Sequence, residues 1–164
     1  MLEQFVSWLA DTRVSDVIRN VTWIIPAVQT AHILAISAVV SAAMLIHLRS
    51  FRLAVRGEPR ADVARRFAPI IWYGTLVLFM TGVPLIIAEP HRELVNPVFQ
   101  IKMVLLIVAL ALTQVFQRFM QADPLYWDHT NARRAAAATL SVISLAVWIG
   151  IVFAGRLIAY ADVT

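Results

Sequence analysis

The sequence predicts an all-α protein: an integral membrane four-helix bundle with a short N-terminal amphipathic helix lying at the interface. Three observations carry this. Of 164 residues, 60% are apolar and 15% charged, against about 45–50% and about 25% in soluble domains. The mean hydropathy is +0.76. The charges also leave four clear intervals, between Arg19 and Arg49, Arg66 and Glu89, Lys102 and Arg118, and Arg134 and Arg156. A membrane helix needs about 20 apolar residues. This composition excludes a disordered tail and a coiled coil. The basic balance, net +4 with a single Lys among 14 cationic residues, does not point to nucleic acid, because the Arg residues gather at the ends of apolar runs. Cys is absent, which removes thiolate metal sites, disulfides and thioether-linked haem. The length suits one domain, 1–164.

Each span follows from these intervals. The first runs from about 22 to 48 and the second from about 68 to 88. The third interval is short by itself, so the helix begins at Pro97 and runs to about 117, with Lys102 in its first turns. Asn96 before Pro97 supplies an N-cap side chain and then Pro at the first helical position. The fourth runs from about 135 to 160, with Arg156 snorkelling near its end. Met1–Asn20 has acids and no central apolar block, so it does not read as a cleavable signal peptide. Leu2, Phe5, Val6 and Leu9, then Val14, Val17 and Ile18, recur at helical spacing and predict an amphipathic segment on the membrane surface.

Arginine placement sets the expected direction. Arg49, Arg52, Arg56, Arg60, Arg65 and Arg66 follow the first span, and Arg118, Arg133 and Arg134 the third. The other side has Arg13, Arg19, Arg92, Lys102 and Arg156. The Arg-rich loops are therefore expected in the cytoplasm and both termini outside, which for a bacterium means the inner membrane with periplasmic termini. The loops are too short for a soluble catalytic domain.

The four histidines are the most informative side chains. His32 lies in the outer third of the first span, His47 at its cytoplasmic end, His91 after the second span on the outer side, and His129 in the third-to-fourth loop on the inner side. The fifteen residues between His32 and His47 correspond to about 22 Å and about four turns plus 60°. Both rings therefore emerge on one side of the helix, near opposite membrane faces. Such spacing suits two stacked b-type haems with bis-His ligation, since haem iron takes neutral imidazole axially. An intramembrane ionisable residue such as His32 defaults to a functional role, and Gln29 is placed to orient its second nitrogen. An interfacial His47 needs no special explanation. His91 and His129 are ordinary loop residues that gain weight as partners on the right sides, with Met103 as an outer substitute and Met44 or Met120 as inner ones. Core filling is the ordinary role of a Met.

Lys102 and Arg156 sit on the outer side and can pair with haem propionates, or simply snorkel. Arg49, Arg52 and Arg118 are the inner counterparts. Ala31, Ala35, Ala42 and Ala43 allow close approach, of a porphyrin edge or of a helix. Gly150 and Ala154 form a small-xxx-small pair that predicts homo-oligomer contact. Gly74 and Gly82 permit close packing in the second span.

The chain resembles a family of bacterial four-helix membrane proteins similar to small b-type cytochromes. The likeness lies in Trp23–His32 (WIIPAVQTAH), Asn96–Leu106 (NPVFQIKMVLL), Trp127-Asp128 and Ala154–Tyr160 (AGRLIAY). It implies haem b binding and electron transfer, with His32 as the firmest carry-over. Relatives carry a His near the cytoplasmic end of the third span. Here that region reads Gln114 to Gln117, which leaves His129 as the inner substitute.

The expected function is electron transfer across the membrane through one or two haems. Membrane lipid surrounds the protein, and quinol, superoxide or a redox-partner protein is the open electron source. The rival reading is a non-haem membrane subunit, a small transporter or assembly protein acting as an oligomer. A membrane hydrolase is poorly supported, because no Asp or Glu lies deep in a span.

Overall fold

The computed structural model describes residues 1–158, apart from Arg52, Arg56 and the side chain of Leu2. Arg52 as an inner cation and the 159–160 end of the fourth expected span therefore lie outside the described residues. Every regular element among the described residues is helical: α1 Leu2–Ala10, α2 Arg13–Asn20, α3 Ile24–Ser50, α4 Arg60–Ala88, α5 Pro90–Leu94, α6 Pro97–Ala122 and α7 Asn131–Leu157, with a 3-10 turn at Tyr126–Asp128. Four of them, α3, α4, α6 and α7, are long and apolar enough to cross a membrane, and the chain is a multi-pass membrane protein.

Local chemistry sets the ends. Asn96 caps α6 by accepting the Val98 N–H at 2.9 Å, with Pro97 at the first helical position. Thr130 caps α7 by accepting from the Arg133 N–H. The expected single N-terminal segment is two helices. The chain breaks at Asp11, and Thr12 then caps α2 through the Ser15 N–H. Helix α4 begins at Arg60, well before the expected start near 68, because a helix continues through charged residues once it leaves hydrocarbon. Helices α6 and α7 are extended at the Arg-rich end for the same reason.

Helices α1, α2 and α5, the start of α3 and the end of α7 lie at one end of the bundle, here the terminal end. The α3–α4 and α6–α7 connections form the loop end. Helix α3 packs along α4 and against α7, and α7 packs along α6, whereas α4 and α6 barely touch. Helices α1 and α2 lie against α4 and α5 as a layer over the terminal end.

Packing differs sharply along the bundle. At the loop end Val39, Ala42, Ala43, Ile46, Ile71, Ala109, Phe116, Met120 and Ala137 form a continuous buried core. Gly74 allows the tightest α3–α4 approach, since a Cβ there would overlap the Val39 side chain. The connections are also locked. Arg60 donates to Asp128 at 2.8 Å and to the Ser50 carbonyl, and Trp127 stacks on Phe116 with 5.4 Å between ring centroids. Towards the terminal end, α3 has no buried residue before Val39, α4 none between Ile71 and Ala88, and α6 none between Phe99 and Ala109. Helix α7 stays buried through this stretch, at Trp148, Ile151 and Ala154, so the band between the loop-end core and the terminal layer has fully buried side chains on one spanning helix only.

Candidate functional site

His32 and Thr81 lie in this band. Thr81 is about two turns from the C-terminus of α4 and His32 about two turns from the N-terminus of α3, so the antiparallel pair brings them to one depth. His32 Nδ1 lies 2.7 Å from Thr81 Oγ1. The Thr81 hydroxyl donates its one proton to the Val77 carbonyl at 2.7 Å. It is left as an acceptor, so His32 Nδ1–H is the donor and Nε2 carries the lone pair. Among the described residues nothing hydrogen-bonds that Nε2. Gly82, one residue on, keeps the space beside the ring open: a Cβ there would sit 3.5 Å from His32 Cε1.

Lys102 of α6 turns towards the terminal end. Its Cε and Nζ lie 3.9 Å from where a Gly155 Cβ would be, and Nζ stands 5.9 Å from the Phe99 ring centroid. Glu93, on α5 outside the spans, has its carboxyl pushed up by burial against the opposing pull of Lys102 and Arg92.

His47 has a different environment. It is 1% exposed and tilted against Phe116. Ser141 donates to Ser50 Oγ at 3.0 Å and so accepts from His47 Nδ1–H at 3.3 Å. Ser144 lies 2.8 Å from Nε2 and donates to its lone pair. Both ring nitrogens are engaged, as expected for a buried polar group in a packed core. His129, in the loop, donates through Nε2 to Asp123 at 2.5 Å and is exposed. The two histidines expected to share an inner haem are thus committed to separate partners.

The remaining expected positions are scattered. His91 is exposed on α5 at the terminal end, and Arg156 is exposed on α7. Gln29 is exposed, and Thr81 takes the orienting role expected of it. Met103 is 39% exposed, while Met120 is core. Gln117 accepts from Trp72 Nε1 at 3.2 Å. Ala154 is buried, and a Cβ on Gly150 would meet Leu105 of α6 at 3.6 Å. The small-residue pair therefore contributes to packing within the protomer. Among the described residues no three His, Asp or Glu side chains converge as a metal cage.

Sequence reasoning missed Thr81, Glu93 and the serine partners of His47. Counting helical depth from the two interfaces would have found Thr81. No family model, curated protein or solved structure matches the chain.

Proposed function

We propose that the protein is a membrane-embedded b-type cytochrome with one haem site, in the band near the terminal end, where His32 Nε2 is the axial ligand. One observation carries the reading. His32 is half-buried inside a span, with its Nδ1–H held by Thr81 and its Nε2 lone pair unused among the described residues. Metal-ligating histidines have this arrangement, with the second nitrogen held so that tautomer and ring plane are fixed. The residues fit the group in two respects: a lone pair without a partner among the described residues, and Gly82, which has no side chain, beside the ring.

The chain's own part is to bind, orient and exclude water. Thr81 fixes the His32 ring, and the terminal layer of α1, α2 and α5 covers the band. His91, carried by α5 at that end, would be the second histidine to hold the group. When bound, haem supplies a one-electron carrier, whose potential the protein tunes through ligation and burial. A second haem at His47 has less support, because Ser144 already occupies its lone pair. A single site near one face exchanges electrons at that face, with quinol or a redox-partner protein as donor.

We also propose that this face is the periplasmic side of a bacterial inner membrane. The support is the concentration of arginine at the loop end.

The test is an absorption spectrum of the detergent-purified protein, with and without dithionite, for wild type and His32→Ala. A haem b spectrum lost in the variant supports the reading. A colourless wild type from haem-replete cells refutes it and favours the non-haem subunit.

A further inference from the structure

Helices α4 and α6 barely touch. Among the described residues one hydrogen bond crosses this seam, from Trp72 Nε1 to Gln117 Oε1 at 3.2 Å. An indole N–H only donates, so it fixes the amide with Oε1 towards Trp72. Gln117 is 5% exposed, and its Nε2 has no acceptor among the described residues. Inside a span, with no bulk water to accept from it, an amide left in this way is costly. The seam therefore holds a donor whose acceptor must come from outside the chain.

The loop end of the seam is also rich in cations. Arg118 follows Gln117, is exposed, and has no hydrogen-bond or ion-pair partner among the described residues. On α4, Arg65 precedes Trp72 by seven residues, about two turns, which puts it on nearly the same face and nearer the loop end. Its one ion pair is an exposed contact with Asp62 at 3.0 Å. Over 49–66 and 118–134 the sequence has nine arginines against four acids. Towards the terminal end the Trp72 face continues as Leu76 and Phe79, both apolar and exposed.

We propose that the loop-end half of the α4–α6 seam binds one anionic phospholipid. Its phosphate sits by Arg118 and Arg65, an ester carbonyl accepts from Gln117 Nε2, and its chains run along Leu76 and Phe79. The amide nitrogen is enclosed in this structure, so the carbonyl enters as the exposed Trp72 indole tilts away. Basic pockets between spans recognise such headgroups on the cytoplasmic side. A neutral carbonyl compound would leave the two arginines unmet. The site is independent of the haem reading.

The test is native mass spectrometry of the full chain in detergent. It is titrated with phosphatidylglycerol, with phosphatidylcholine and with the diether analogue of phosphatidylglycerol, which lacks ester carbonyls. One phosphatidylglycerol per chain is expected, held about tenfold more tightly than phosphatidylcholine. Arg118→Gln should lower that preference about fivefold, the effect of one cation near the headgroup. Gln117→Met should weaken the diester about three- to tenfold, the scale of one hydrogen bond, and leave the diether unchanged. Equal binding of the two headgroups by wild type, in an unsaturated ladder of adducts, means surrounding lipid only and overturns the proposal. An unchanged preference in Arg118→Gln does the same, and decides the case should Gln117→Met fail to fold. Equal weakening of diester and diether in Gln117→Met overturns the carbonyl contact. Displacement of the lipid by inorganic phosphate marks a plain anion site and overturns the lipid assignment.

Discussion

His32 Nδ1 donates to Thr81 Oγ1 across the α3–α4 contact at 2.7 Å, and the hydroxyl is unable to return the proton because Val77 already accepts it. One helix therefore fixes the tautomer of a histidine on the other. Thr81→Val keeps the shape and removes the acceptor. It should weaken haem retention roughly 10–100-fold, the usual effect of losing such a partner. Thr81→Ser should retain most of it. Haem transfer to apomyoglobin measures the loss, and an unchanged rate in Thr81→Val would remove Thr81 from the site.

The loop-end histidine is predicted to serve stability alone. Ser144→Ala leaves the buried His47 lone pair without a donor and should cost about 1–3 kcal/mol. Thermal unfolding in detergent should show the drop while the haem per chain stays unchanged. A loss of haem without a loss of stability would instead return His47 to the ligand set.

Gly74 sets the α3–α4 spacing. A methyl group there runs into the buried Val39 side chain, which is branched and stiff. Gly74→Ala should destabilise by about 1–3 kcal/mol, the range for overpacking, and the double variant with Val39→Ala should recover part of it. Unfolding midpoints for the single and double variants decide the matter.

The Asp123 carboxyl is held below its ordinary value of 3.8, first by the His129 hydrogen bond and then by the Leu125 N–H. A depressed acid contributes stability above its unfolded pKa and loses it as pH falls through the folded one. His129→Ala should raise the Asp123 titration towards 3.8. Carbon NMR of labelled Asp carboxyls reads this directly, and an unmoved titration would exclude His129 as the main cause.

The spans were legible because hydrocarbon thickness demands long charge-free runs, and the start of α6 because Asn96-Pro97 carries its own capping chemistry. The start of α4 was less so, since charged residues mark the membrane boundary and a helix can pass through it. His32 stood out as an ionisable group inside a span. Its partner Thr81 is 49 residues away, and the Ser144 partner of His47 is 97 away. Only the α3–α4 and α3–α7 packings make them neighbours. Which side chains are buried depends on which helix faces meet, information that hydropathy does not contain. The same holds for Gly150, whose packing against α6 looks identical in sequence to an oligomer motif.

The central claim is a single haem per chain, held through His32. The direct measurement is pyridine haemochrome content against protein concentration for wild type, His32→Ala and Ser144→Ala from haem-replete cells. The account predicts about one haem b per chain in wild type and Ser144→Ala and none in His32→Ala. Two haems per chain, or full haem retention in His32→Ala, would contradict it.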